Sequence, residues 1–363
     1  MEGRPDTTLP VIHNLEKVAR YLDLNLLLYQ EIREVSRYYP FAITPHYFNL
    51  IEKGNPLCPI RRQAIPSKEE LIDKGVPDPL NEYNDAPTPA FIKRYAGRGV
   101  FLASSSCAMY CRFCNRKRFV GKKWDPRAYW DDTFQYIKRD SELREIIISG
   151  GDPLMLIPEE LEYILFRLRE MRNIKVIRVS TRVPVVFPEG VTRGHLKAIK
   201  RYSPLWIILH INHPKEMTEE CIGVVQNMRK AGATLVSQTV LLRQVNDCPH
   251  IMLRLCESLI EHGVKPYYLF QLDEVKGAMH FKVRLERGIE IMNFLRKKAS
   301  GLAIPQYVLD ITGGHGKVPV EHINVPKKKK EIYVKGLTGK TGIYRNDGKK
   351  SICIKCGLCR EGK

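Results

Sequence analysis

The chain lacks any apolar run of the roughly twenty residues that a membrane-spanning helix needs. Its opening, MEGRPDTTLP, lacks the basic-then-apolar pattern of a secretory leader. No membrane partner is therefore expected, and the expected location is cytoplasmic. Acidic charge is also short. Forty Asp and Glu stand against 59 Lys and Arg, a formal net charge of +19. Such a surplus suits nucleic acid, or a basic surface that serves anionic small molecules. Aromatics are not interleaved with basic residues in an RNA-binding pattern, and the densest run is four lysines at 327–330. Nucleic acid is thus not the expected partner. A disulfide framework is not indicated either. Of ten cysteines in 363 residues, six fall in two short clusters, which points to metal or cluster binding.

The first ninety or so residues read as helical and irregular. LEKVARYLDLNLLLYQEIREVSRYY has helical spacing, and the later Pro-, Asn- and Asp-rich stretches read as loops wrapped around something else. From about residue 99, short apolar runs alternate with amphipathic stretches. The candidate strands are GVFLAS, EIIISG, KVIRVST, LWIILHI, TLVSQTV and PYYLFQL. Pro249 and Gly263 bracket one intervening helix, and Thr218 with Glu219 and Glu220 opens another. Six such units predict an α/β protein with a parallel sheet, an incomplete (β/α)6 TIM-like barrel rather than a closed eight-stranded one. A doubly wound open sheet is the competing arrangement. The expected organisation is a helical wrapping region (1–92), a barrel core (93–325) and a small cysteine-bearing tail (326–363).

Polar residues collect where such barrels place their sites, at the C-terminal ends of strands. Gly150, Gly151 and Asp152 follow the second strand. Ser180 and Arg182 end the third, and His210 ends the fourth. Gln238 lies in the fifth, and Asp273 follows the sixth. After the first strand comes SSSCAMYCRFCNRKRF, with Cys107, Cys111 and Cys114 spaced three and then two residues apart. Thiolates select zinc or iron–sulfur clusters. Three of them hold three corners of a 4Fe–4S cube and leave one iron for a substrate, whereas structural zinc needs a fourth ligand. A second unusual stretch is DITGGHGKVPV, residues 310–320. It is not a phosphate-binding P-loop, because the spacing is wrong and no Ser or Thr follows Lys317. A lysine on such a loop is either solvated or an attachment point for pyridoxal phosphate.

The spacing Cys-x3-Cys-x2-Cys, with Tyr110 and Phe113 beside the cysteines, is the signature of radical S-adenosylmethionine enzymes. Over roughly residues 15–325 the chain resembles the lysine 2,3-aminomutase family within them. The matching segments are CAMYCRFCNRKRFVG, IISGGDPL, HINHPKEMT, QTVLLRQVNDCP, KPYYLFQLDEVKG, GIEIMNFLR and SGLAIPQYVLDITGGHGKVPV. The resemblance implies an isomerase that moves the α-amino group of L-lysine to the β-carbon by way of a 5′-deoxyadenosyl radical. S-adenosylmethionine would complete the coordination of the cluster, contacted by Gly150, Gly151, Asp152, Ser180, Arg182, His210 and Gln238. Lys317 would carry pyridoxal 5′-phosphate, with Tyr95 and Arg98 helping to hold it. Arg116 would pair with the substrate carboxylate, a natural task for a guanidinium. Asp273 and Asp310 would hold the distal ammonium, favouring a cationic substrate over an acidic one.

In that family a C-terminal cysteine trio joins one more cysteine, from a neighbouring subunit, around structural zinc. Here the set would be Cys353, Cys356 and Cys359 with Cys248. A second iron–sulfur cluster is the alternative for that trio, whose first two cysteines stand further apart than in the family. The resemblance also implies a homo-oligomer and an electron donor such as flavodoxin or ferredoxin. His315, Asn115 and Lys117 depart from the family's pattern without removing a group the chemistry needs. Cys58, Cys221 and Cys256 read as core residues. The competing functions are an arginine 2,3-aminomutase, a β-lysine-forming enzyme of translation-factor modification, and a zinc-containing nucleic-acid binder.

Overall fold

Apolar residues at alternate positions build one nine-stranded sheet. The computed structural model describes residues 11–351, apart from Asp73, residues 327–329 and Thr338. The sheet opens with β1 (Phe91–Tyr95), antiparallel to β2 (Arg98–Ser104). There follow β3 (Glu145–Gly150), β4 (Val176–Thr181), β5 (Trp206–His210), β6 (Thr234–Leu241), β7 (Lys265–Gln271) and β8 (Gln306–Asp310). From β2 to β8 neighbours pair in parallel and in chain order. A short β9 (Lys317–Pro319) then returns antiparallel along β8. No ladder joins β9 back to β1, so the sheet is a partial barrel.

The period of two explains how this sheet makes a site. Ile146 and Ile148 of β3, Ile177 and Val179 of β4, and Ile207 and Leu209 of β5 point into the main core and are buried. The residues between them, Ser149, Arg178, Ser180, Ile208 and His210, line a cavity on the opposite face. Six helices cover the core side, one after each strand from β2 to β7: Trp130–Arg139, Pro158–Arg169, Arg193–Tyr202, Glu219–Lys230, Pro249–Glu261 and Leu285–Lys298. Thr192 and Thr218 cap two of them through side-chain oxygens, and proline opens the second and fifth.

The six strands expected from sequence match β2 to β7 to within one residue at each end. The sheet extends beyond them at both edges. β8 is a seventh parallel strand of five residues, QYVLD, too short to separate by pattern from the glycine-rich loop it leads into. The tail region adds a hairpin, β10 (Glu331–Lys335) and β11 (Thr341–Arg345), which buries Ile332, Val334 and Tyr344. The wrapping region forms short helices at Leu15–Tyr21 and Leu26–Tyr38, capped by Asn14 and Asn25. The single helical stretch expected there is thus broken at residues 22–25. Cys58, Cys221 and Cys256 are buried in the core as expected. Cys353, Cys356 and Cys359 lie outside the described residues.

Candidate active site

The strand ends and their loops enclose one cavity of about 350 Å³. Its wall includes Cys107, Cys111, Cys114, Tyr95, Arg98, Arg116, Gly150, Gly151, Asp152, Ser180, Arg182, His210, Gln238, Asp273, Asp310 and Lys317. Among the described residues, every site residue expected from sequence is there except Cys248. Cys248 precedes the helix Pro249–Glu261, away from this cavity.

The cysteine loop follows β2 and packs under the loop that follows β3. Gly150, at φ +118°, and Gly151 allow that approach. A Cβ on the first would meet the Ser104 carbonyl at 2.2 Å, and one on the second the Ser106 carbonyl at 2.3 Å. Asp152 fastens the same loop to the end of β4. Its carboxylate accepts from Thr181 Oγ1 (2.7 Å), the Arg182 amide (2.6 Å), the Leu154 amide (3.0 Å) and the Val183 amide (3.1 Å). Asp152 is therefore engaged in shaping the wall. Arg182 donates through Nη1 to Cys111 Sγ (2.7 Å) and through Nη2 to Glu216 (2.7 Å) and Gln63 (2.8 Å).

The donor set suits an iron–sulfur cluster. Burial, then Cys114, pushes the Cys107 thiol well up, and burial, then Cys111, pushes Cys114 up to about 11. The Cys107 and Cys114 thiols, whose ionisation burial and neighbouring cysteines oppose, are relieved when cationic iron takes their protons' place. Above them, burial and then Arg182 hold the His210 pKa down to about 3, so its ring is neutral near pH 7.

The far wall suits an anionic aldehyde cofactor. Lys317 Nζ stands 3.7 Å from Asp310 Oδ2 and faces the rings of Tyr268 and Phe270 at 4.9 and 4.6 Å. The Tyr95 hydroxyl accepts from the Lys317 amide (3.0 Å), while Arg98 stacks over the Tyr95 ring at 4.0 Å. Arg178, beside them on β4, has a buried Nε with no hydrogen-bond partner. Two guanidiniums, one with an orphaned donor, and an amine fit a phosphate-bearing aldehyde. Gly313, Gly314 and Gly316, all at positive φ between +82° and +94°, let the loop between β8 and β9 present that lysine.

The third part of the wall carries opposed charges. Arg116 is held by Glu82, whose carboxylate accepts from Nη2 (2.8 Å) and Nε (3.2 Å). Burial alone would raise the Glu82 pKa, but Arg116 and Arg118 hold it down at about 2. Asp273 shows the reverse. Burial, and then Asp310, pushes its carboxyl up to about 7. Its Oδ2 accepts from Asn115 Nδ2 (3.1 Å), and its buried Oδ1 has no partner. Glu82, Ser149, Arg178 and Asn115 all line the cavity and were not assigned roles from sequence. Glu82 sits in a Pro- and Asn-rich stretch that reads as a plain loop, and the strand alternation was the one signal for Ser149 and Arg178.

The radical SAM superfamily model matches residues 102–256, which include the cysteine loop. A curated relative from Aquifex aeolicus is 41% identical over 92% of both chains. The L-lysine 2,3-aminomutase of Clostridium subterminale is 36% identical over 96% of this chain and 85% of that protein. The chain belongs to the lysine 2,3-aminomutase family. A glutamate 2,3-aminomutase from Clostridioides difficile is 34% identical over 85% of this chain and 74% of that one, so the family includes proteins named for substrates of opposite charge. Membership in this radical SAM family implies a 4Fe–4S cluster and S-adenosylmethionine.

Proposed function

We propose that the chain is a radical S-adenosylmethionine aminomutase that moves the α-amino group of a free cationic amino acid, L-lysine first, to the β-carbon. The observation that carries the substrate choice is the pairing of Asp273 and Asp310 on one wall, with Asp273 Oδ1 buried and unpartnered. An ammonium satisfies that atom and relieves the repulsion, whereas a carboxylate would add a third negative charge. Arg116, at the arginine end, receives the α-carboxylate.

When bound, the cluster with S-adenosylmethionine supplies a carbon radical, and pyridoxal phosphate supplies the electrophilic group and π-system that carry the migrating nitrogen. In this reading Cys107, Cys111 and Cys114 hold the cluster. Gly150, Gly151, Ser180, His210 and Gln238 form the wall for S-adenosylmethionine, which Asp152 and Arg182 support from behind. Lys317 holds the pyridoxal group, and Tyr95, Arg98 and Arg178 face its phosphate. The protein's own work is to orient the amino acid between its two charged ends and to exclude water.

Structural zinc is assigned to Cys248 with Cys353, Cys356 and Cys359. In this reading Cys248 comes from a neighbouring subunit, and the three tail cysteines lie outside the described residues. We also read the protein as a cytoplasmic homo-oligomer reduced by a flavodoxin or ferredoxin. Among the described residues no helix is long and apolar enough to cross a membrane.

The test is anaerobic incubation of the reconstituted protein with S-adenosylmethionine, reductant and lysine, arginine or glutamate. β-Lysine is the expected product. β-Arginine as the main product would make the protein an arginine aminomutase on the same site, and turnover of glutamate alone would refute the acidic-wall argument.

A further inference from the structure

Arginine offers five N–H donors on a flat guanidinium, and the structure shows how Arg116 uses its own. Nε faces both Glu82 oxygens at 3.2 Å, and Nη2 donates to Glu82 Oε1 at 2.8 Å. Nη1 donates to Ser149 Oγ at 3.2 Å. Two N–H groups remain without a hydrogen-bond partner among the described residues, one on each terminal nitrogen. A carboxylate takes two. Ser149 accepts that bond and keeps its own hydroxyl proton to give. Glu82 is almost fully buried, and Arg118 also donates to it, so its position is fixed from behind.

We infer that Glu82 is a positioning residue that occupies the side edge of Arg116 and turns the two terminal nitrogens toward the amino acid's α-carboxylate, and that Ser149 is a substrate-binding residue that donates a further hydrogen bond to it. The inference rests on the aminomutase reading. It places the carboxylate pocket at the junction of three segments distant in sequence: the wrapping loop at residue 82, the cysteine loop at 116 and the end of β3 at 149. It also sets the order of recognition. Glu82 touches no substrate atom and acts through Arg116, whereas Ser149 touches the carboxylate itself.

The experiment compares lysine with 1,5-diaminopentane, which keeps both amines and lacks the carboxylate. Binding of each to the reconstituted holoenzyme is read from the shift of the pyridoxal absorption band, without turnover. Glu82→Gln is expected to weaken lysine about tenfold or more, and Ser149→Ala about three- to tenfold, with diaminopentane held within about twofold in both. Unchanged lysine affinity in both variants overturns the inference. A parallel loss for diaminopentane also overturns it, because it would mean that the whole cavity had shifted. Should Glu82→Gln fail to fold, Ser149→Ala decides the direct contact and Glu82→Asp, which keeps the charge but shortens the reach, decides the positioning by the same two ligands. A wild-type protein whose pyridoxal band responds to neither ligand brings down the aminomutase reading, and this inference with it; a band that responds equally to both brings down this inference alone.

Discussion

The two charged ends of the cavity are held in opposite ways. At the arginine end, Glu82 pairs with both Arg116 and Arg118, and its pKa is held down at about 2. At the aspartate end, Asp273 and Asp310 face each other, Lys317 is 3.7 Å from one of them, and the pKa of Asp273 is pushed up to about 7. One end is settled before any ligand arrives, and the other is held in repulsion. A settled ion pair fixes orientation, whereas unbalanced buried charge favours whatever ligand balances it. In the proposed function the acidic end thus selects the ligand, and the basic end aligns it.

The largest effect that can break this comparison comes from Lys317→Ala. It removes the amine beside Asp310 and, in the proposed function, the attachment point for the pyridoxal group. Aminomutase activity is expected to fall to background, and the protein should carry no covalently attached pyridoxal after borohydride reduction. Retention of the attached group would move the attachment to another lysine.

Asp273→Asn is next. The amide keeps the shape and removes one of the two opposing charges. Lysine affinity should fall by roughly 10- to 100-fold, the loss expected for a charge-assisted hydrogen bond. The same change should leave the response to S-adenosylmethionine intact, read from the cluster's electron paramagnetic resonance signal. Equal lysine affinity in variant and wild type would mean that Asp310 alone holds the ammonium.

The arginine end was the less legible of the two in sequence, and the reason is physical. The cysteine spacing and the six strand units are local patterns, repeated over a few residues, and they placed β2 to β7 and the cluster loop closely. Lys317, Asp273 and Asp310 were legible through resemblance because they stand in or beside long matching segments. Glu82 has no such neighbourhood. Its meaning comes from Arg116, 34 positions away, and Ser149 gains its meaning from the same guanidinium 33 positions back. Buried ion pairs across distant loops leave no period for a reader to count. The network of Glu70 with Arg112 and Lys117, which ties the wrapping region to the cysteine loop, was missed for the same reason.

A pH profile gives a smaller but sharper test. Asp273 carries a proton below about pH 7 and loses it above. The acidic end therefore attracts an ammonium more strongly as pH rises through 7, and the Michaelis constant for lysine should fall over that window. Glu82 stays ionised throughout it, so the arginine end contributes no slope. In Asp273→Asn the slope should vanish. A slope that survives the substitution would assign the titration to another group.

Asn115→Ala should have the smallest effect, and it tests how the acidic end is tuned. Asn115 Nδ2 donates to Asp273 Oδ2 at 3.1 Å, which favours the ionised carboxylate and works against burial and Asp310. Removing that donor should raise the pKa of Asp273, so the fall in the Michaelis constant should move to higher pH while its limiting value at alkaline pH changes only about two- to fivefold. An unmoved profile would mean that the bond from Asn115 does not set the titration of Asp273, and that burial and the neighbouring Asp310 charge govern it alone.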